Sequence, residues 1–524
     1  MNDPLVLTID LGTSGPKVAV VTGSGRIVGS ARASVETTFG SGGAAEQDAE
    51  AVWSATLAAA SKALDDPRVD RGSVIAVAAS AQYSSIVPVG VDATPTGPMV
   101  TWMDQRGSPK RLRRLPGHPT LGDSPIALAN YLRIHGLAPI SSGMSLNHMR
   151  WVKAARPDLY ERTETFLEPV DYISARFTGR RTASQCTSFM QMLADNRKVP
   201  NAGWHPDLVR ASMIDRSKLP EPVATGEVIG TVLPDIAAKL GIPSNAEVLS
   251  GINDTQAGAV AAGAFRGDHA GLAVGTTAVI VTHAVAKKVD PIRSMFTMPS
   301  PLGDRHLLSA ENGVAGVAVD HFLGHHVYPE DPFETSQPDG LDTYEAFEAA
   351  ASAATPGAGG VLFLPWLHGS LAPRADGRMR GGFVGIGLDT TRQDLARAVL
   401  EGVALNLRWL QDPVERFVGR KLSHHLFYGG GATSDLWSQV MADVLDKPVH
   451  QMADPGFAVS LGTAFFALDR LGISSAEELS ADVAVKAVYE PNRVHRGLYD
   501  DLADTFTDAF GRTRPLFRRL GRSR

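Results

Sequence analysis

Two aspartates and three glycine-rich turns carry the residue types from which a phosphate-handling site can be built. The first turn is Asp10-Leu11-Gly12-Thr13-Ser14-Gly15-Pro16, between a short apolar run at 5–9 and a β-type run at 17–21. The second is Gly275-Thr276-Thr277, between β-type runs at 271–274 and 278–282. Glycine lets a hairpin turn tightly and bares backbone N–H groups. The adjoining hydroxyls add donors, so such a concavity can hold phosphate oxygens. Neither turn fits the Walker pattern G-x-x-x-x-G-K-[ST], and each alone also reads as an ordinary hairpin. Asp10 would repel phosphate unless a cation stood between them. Mg²⁺ takes carboxylate oxygens, water and substrate phosphates, which makes Asp10 a metal contact. A turn-capping aspartate is the other reading.

Asp254 follows a short strand at 247–250 and the turn Gly251-Ile252-Asn253, at the start of an Ala/Gly-rich helix expected over 255–265. A helix N-terminus favours the ionised carboxylate, which is the form a general base needs. A depressed pKa would make a weak base, which phosphoryl transfer tolerates because positioning and charge stabilisation carry most of the catalysis. A helix-capping aspartate explains the same position. The third turn, at 429–434, follows the apolar Leu426-Phe427-Tyr428 and precedes a helix expected from about Asp435. Small residues there let a flat ligand such as adenine approach the backbone closely.

These residues need elements to hold them. Helical spacing runs over 50–64, and a β-type run follows at 74–79. Gly40-Ser41-Gly42-Gly43 reads as a flexible loop. Thr391-Arg392-Gln393-Asp394 resembles a capping box, and Leu395, Ala398, Val399, Gly402 and Val403 follow at helical spacing. Strands alternating with helices predict an α/β architecture. The strand–turn–strand pattern near the start of each half predicts two units of similar plan, 1–250 and 251–524. Ala273 stands in the second copy where Asp10 stands in the first, so the units are not chemically equivalent.

The bulk composition agrees with two or more folded domains. The chain has 524 residues, against roughly 100–200 per domain. A hydrophobic share of 44%, a charged share of 20% and a net charge of −6 describe an ordinary globular protein, not a basic nucleic-acid binder. One cysteine, Cys186, excludes an intrachain disulfide and reads as a packed small side chain. No run of about 18 uncharged apolar residues predicts a membrane span. The N-terminal MNDPLVLTID lacks a basic leader segment, so the expected location is cytoplasmic. Arg512, Arg514, Arg518, Arg519, Arg522 and Arg524 read as a solvated helix end or frayed tail.

Taken together, the spacing of Asp10–Ser14, Gly251–Asp254, Gly275–Thr277 and Gly429–Ala432 resembles the FGGY carbohydrate kinases, which include xylulokinase, ribulokinase, gluconokinase and glycerol kinase. The likeness covers nearly the whole chain and is closest to the xylulokinase-like members. Glu46-Gln47-Asp48 with Trp53, then Trp102-Met103-Asp104-Gln105-Arg106, and Phe363-Leu364-Pro365 resemble family segments. The run Gly382–Ile386 with Asp394–Gly402 is similar to the family's second signature over its full length. Three departures stand out. Tyr83-Ser84-Ser85 replaces the Met-His-Gly common in xylulokinases, the Asn-Gln-Arg-Glu stretch of glycerol kinase is absent, and His148 stands where the first signature has lysine.

The resemblance implies an actin/hexokinase-like (ribonuclease H-like) fold with a central cleft. It implies ATP and Mg²⁺ as cofactors and a small sugar as acceptor, most readily a pentulose such as xylulose. Asp254 becomes the base, and Asp10 with Asp254 the metal contacts. Thr13, Ser14, Lys17, Gly275, Thr276, Gly316, Asp320, Gly431 and Asp435 fall on the nucleotide side. Gln82, Tyr83, Ser84, Trp102 and Asp104, with Asp254, fall on the acceptor side. Family members are often dimers, so a homodimer is the assembly the resemblance suggests. The alternatives are a kinase of a short polyol (erythritol- or glycerol-like), a catalytically silent ATP- and sugar-binding sensor, and an actin- or chaperone-like ATPase.

Overall fold

The computed structural model describes residues 3–115, 124–140, 142–201, 203–329, 331 and 342–520. Two mixed sheets repeat one plan. In the first, the hairpin Leu5–Gly12 and Gly15–Thr22 is antiparallel, and Val74–Ala81 runs parallel to its first strand. In the second, the hairpin Ala270–Val274 and Thr277–Ala284 is antiparallel, and His425–Tyr428 runs parallel to its first strand. The first sheet has seven strands and the second eight. Parallel strands need crossover connections, which helices supply here. The pattern of β-branched runs and turn residues anticipated both hairpins.

The first hairpin turns on two residues, Thr13 and Ser14, so Asp10 lies inside its strand, opposite Lys17. Gly15 enables the turn: at φ +131°, an added Cβ would lie 2.2 Å from the Ala33 carbonyl oxygen. The turn expected at 251–253 is partly strand. Ile252–Asn253 pairs with Ser80–Ala81, so the first sheet extends past residue 250. The helix that follows, Asp254–Ala261, is shorter than expected. Residues 40–43 are not a free loop. A short 3₁₀ turn there joins two strands of a three-stranded ribbon.

Helix Ala458–Arg470 packs on helix Asp254–Ala261 and on the strands Leu5–Gly12 and Val74–Ala81. One apolar core therefore runs from Val6 and Ala78 of the first sheet through Ala257 and Val260 to Phe465 and Phe466. The capping box at Thr391 forms and starts the long helix Arg392–Val418. Cys186 is buried and its thiol pKa is pushed up to about 11 by that burial. The basic C-terminal segment is a docked helix, Arg496–Leu520, with Tyr499, Phe506 and Phe510 buried. Arg514 and Arg518 both bond Asp376, so this end is held by ion pairs and is not a frayed tail. Arg522 and Arg524 lie outside the described residues. Among those described, no helix is long and apolar enough to cross a membrane.

Candidate active site

Strand register gathers the acidic residues. Asp10 and Ile252 both stand beside Ser80 in the first sheet, and Leu11 and Asn253 both stand beside Ala81. Asp10, Gln82, Tyr83 and Asp254 thus cluster at the carboxyl ends of three adjacent parallel strands, where open α/β sheets bind ligands.

Asp254 is not the helix cap. Asn253 accepts from the Gln256 N–H, and the Gln256 side chain accepts from the Asn253 N–H. This capping box leaves Asp254 as the first helical residue, with its carboxylate released from capping. One oxygen, Oδ1, accepts from the Thr255 N–H at 2.6 Å and the Thr255 hydroxyl at 3.3 Å. The expected depression of its pKa is reversed. Burial, then the charge of Asp10, raise the Asp254 carboxyl to about 7. The helix N-terminus is outweighed because desolvation and a like charge both penalise the anion. Asp10 is itself raised by burial, and Lys17 only partly compensates, with its Nζ 3.5 Å from Asp10 Oδ2.

Thr13 links the first hairpin to the acceptor side. Its hydroxyl donates to Gln82 Oε1 at 2.7 Å and accepts from Trp102 Nε1 at 3.1 Å. That hydroxyl is therefore committed to Gln82 and Trp102, while Ser14 stays exposed at the tip of the turn. Trp102 is 37% exposed, so its ring is available as a packing face. Tyr83 is half-buried, and burial, Glu311 and Asp254 all push its phenol pKa upward.

Asp104 is fully buried, and its oxygens accept from the Ala45 N–H and from Arg106. Arg106 also bonds Glu46 and stacks on Trp151. As placed, Asp104 braces the wall behind Trp102 and offers no free oxygen to an acceptor. Ser84 is likewise buried, in a left-handed conformation at φ 64°.

Beneath this loop sits a feature that local sequence gave no sign of. Glu168 and His148 are buried, and among the described residues no group meets hydrogen-bond geometry with the Glu168 oxygens or the His148 ring nitrogens. Ser84, Ser85 and Ser145 are the polar groups beside them. Burial raises the Glu168 carboxyl well above its usual range and lowers His148 to about 4. A raised Glu168 pKa costs stability as pH climbs, because the unfolded chain releases a proton that the folded chain retains. Glu168→Gln should therefore be neutral near pH 4.5 and stabilising at pH 8. The gain should grow by at most about 1.4 kcal/mol per pH unit. Urea midpoints at the two pH values check this, and an equal shift at both would refute it.

The nucleotide-side residues converge by the same register logic. Ala273 pairs with Tyr428, so the second hairpin turn and the 429–434 turn lie side by side. A Cβ on Gly431 would come within 2.6 Å of the Val274 side chain. The Gly316 N–H donates to the Gly275 carbonyl at 2.8 Å, and a Cβ there would meet that oxygen at 2.5 Å. Gly275, Thr276, Gly316 and Gly431 are thus brought together. Asp320 and Asp435 have their own partners, Tyr344 at 2.6 Å and Lys486 respectively. Helix Thr343–Ala353 supplies both Tyr344 and Glu348. The latter accepts from Ser434, so one helix ties the Asp320 and Asp435 segments together.

Comparison with known proteins agrees with this geometry. Residues 5–261 match the N-terminal domain, and residues 270–468 the C-terminal domain, of the FGGY family of carbohydrate kinases. The chain belongs to that family: it is a carbohydrate kinase with the two-domain, actin/hexokinase-like fold, and ATP is its phosphate source. A xylulose kinase of Staphylococcus epidermidis is 26% identical over 514 residues, covering 98% of this chain and 97% of that protein. Two solved Lactobacillus acidophilus structures, a ligand-bound xylulose kinase and a gluconate kinase, each superpose with TM-score 0.83 at 21% identity. Each comparison covers 99% of this chain and 100% of the other. Backbone shape alone therefore does not choose between a ketose and an aldonate acceptor.

Proposed function

We propose that the protein phosphorylates a terminal hydroxyl of a neutral pentulose such as xylulose, with Asp254 as general base. The carrying observation is that Asp254, released from helix capping, and Asp10 lie near the ends of the two strands that flank Val74–Ala81. Several curated relatives spanning nearly the whole chain are xylulose kinases, which supports the acceptor class. The acceptor lies against Trp102 and Gln82, and the ATP phosphates lie between the hairpin turns at 13–14 and 275–276. The hydroxyl oxygen attacks the γ-phosphorus as the bond to ADP breaks, and Asp254 takes the hydroxyl proton.

Asp10 and Asp254 would hold Mg²⁺. Two neighbouring carboxylates, whose raised pKa values Lys17 and Arg32 only partly offset, form a charge arrangement that a divalent cation completes. When bound, the cation neutralises charge on the phosphoryl oxygens. The remaining nucleotide contacts in this reading are Ser14, Lys17, Gly275, Thr276, Gly316 and Gly431, with Asp320 and Asp435 at its margin. The division into an acceptor-side unit, 1–250, and an adenine-side unit, 251–524, belongs to the same reading. Closure of the cleft would exclude water and limit ATP hydrolysis.

A panel of ketoses, aldoses, aldonates and short alditols, read by ADP release, tests the assignment. Xylulose is expected to give the highest kcat/KM. Preference for erythritol or glycerol would move the acceptor to the polyols, and nucleotide binding with no turnover on any acceptor would point to a sensor.

A further inference from the structure

Strand His306–Val314 is buried along its length except at Glu311 and, partly, at its last residue. Its pairing explains the exception. Val279 stands opposite Glu311 and Ala278 opposite Gly313, so Asn312 is the extra residue of a β-bulge. Bulges re-aim side chains and recur beside active sites. This one is locked. The Asn312 amide donates to the Ala372 carbonyl at 3.0 Å and the Asn406 carbonyl at 3.1 Å. Asn406 donates back to the Asn312 carbonyl at 3.1 Å, and the Ala372 N–H donates to the Glu311 carbonyl at 3.1 Å.

The backbone of Glu311 is thus fixed on both sides, while no hydrogen bond or ion pair engages its carboxylate among the described residues. That carboxylate reaches solvent, yet protein crowds it enough to raise its pKa. Its charge is felt at the Tyr83 phenol, which also senses Asp254. Glu311 comes from the second sheet, whereas Tyr83 follows a strand of the first. Leu307 and Val281 lie on the same face of the paired strands as Glu311. They share a core with Ala257 and Val260 of the Asp254 helix, against which Tyr83 also packs, so Glu311 faces the side of the base.

We propose that Glu311 selects the acceptor: its free carboxylate accepts hydrogen bonds from the hydroxyls of an uncharged sugar or polyol and repels acceptors that carry a carboxylate. The inference rests on the kinase reading above. An ionised carboxylate offers only acceptor sites, which suit a polyhydroxyl compound. With Glu311 facing the acceptor, Asp10, Asp254 and Glu311 would set three acidic groups against Lys17 and Arg32, so an aldonate would add a further negative charge. Selectivity built on such repulsion is negative discrimination against the wrong ligand.

The test uses the full-length protein and separates binding from turnover. Calorimetric titration with xylulose, erythritol and gluconate, in the presence of ADP, reads acceptor binding. ADP release with ATP reads catalysis. Wild type is expected to bind a neutral acceptor at least about 10-fold more tightly than gluconate. Glu311→Gln keeps shape and hydrogen bonding but removes the charge, and should narrow that ratio by about 10-fold. Glu311→Ala should weaken neutral-acceptor binding, raising KM more than it lowers kcat. Thermal melts confirm that both variants are folded. The proposal is overturned if wild type binds gluconate as well as the neutral acceptors or binds no neutral acceptor. It is also overturned if both variants keep the wild-type ratio. Altered binding with no turnover in any variant would instead retire the kinase reading and leave Glu311 as a binding determinant.

Discussion

Asp254→Asn is expected to lower acceptor-dependent ADP release by about 10²-fold or more, the usual weight of a positioned general base, in a protein no less stable than wild type. Asparagine keeps the shape of the side chain and can still accept the Thr255 hydrogen bonds, but it cannot take a proton. The stability half follows from the same environment that makes the base. Burial and Asp10 raise the Asp254 carboxyl from 3.8 to about 7, so above pH 4 the folded state holds a proton that the unfolded state releases. Its stability contribution is lost as pH rises from about 4 to about 7. The neutral amide escapes that loss, so the variant should melt at the same temperature as wild type or higher at pH 8. Near-normal turnover in a folded variant would remove Asp254 from the mechanism.

The same shift predicts the pH profile. A base must be deprotonated, so kcat/KM at limiting Mg²⁺ should fall as pH drops below about 7, tenfold per unit in the limit. A bound cation favours the carboxylates' ionised forms, so saturating Mg²⁺ should move the midpoint to lower pH. A midpoint that ignores Mg²⁺ would separate the cation from Asp254.

What could be read from sequence and what could not divide along the distance between causes and effects. The hairpins, the capping box at Thr391 and the glycine turn at 429–434 are local. Glycine placement and β-branched runs act within a few residues, so they were legible. The protonation of Asp254 was misjudged because its second cause, Asp10, lies far away in the chain and is brought near only by pairing through Val74–Ala81. Asp104 matched a family segment, yet its oxygens are spent on Ala45 and Arg106, an arrangement that requires the ribbon around 44–47 to fold beside it. Glu311 had no local signal. Its exposure depends on a bulge whose locking groups, Ala372 and Asn406, come from distant segments. Motif spacing thus reaches the turns proposed to hold the phosphates, whereas the proposed acceptor half depends on long-range contacts.

A second large effect is expected far from any ligand, at Gly462. An alanine Cβ there would sit 1.8 Å from the Ala257 carbonyl oxygen and 2.8 Å from the Ala261 N–H nitrogen. Helix Ala458–Arg470 therefore meets the helix of Asp254 backbone to backbone. On Gly258, one residue along, a Cβ would lie 2.5 Å from the Tyr428 hydroxyl, so the Asp254 helix is also pressed by Tyr428 and has little room to retreat. The other neighbour of Ala458–Arg470 is the first sheet, where Thr463 donates to Ser80 at 2.9 Å. Ser80 is the residue that aligns Asp10 and Ile252. Gly462→Ala must force these layers apart, at an overpacking cost of about 1–3 kcal/mol or more. Because a misplacement of about 1 Å can cost about 10²-fold in rate, kcat should fall by that order. Gly511→Ala is the control: no atom lies near its Cβ, so it should leave kcat unchanged and add up to about 1 kcal/mol through helix propensity. Urea unfolding and acceptor-dependent ADP release on both variants decide the matter. A Gly462→Ala protein with wild-type stability and rate would show that the helix carrying Asp254 is not clamped by this contact.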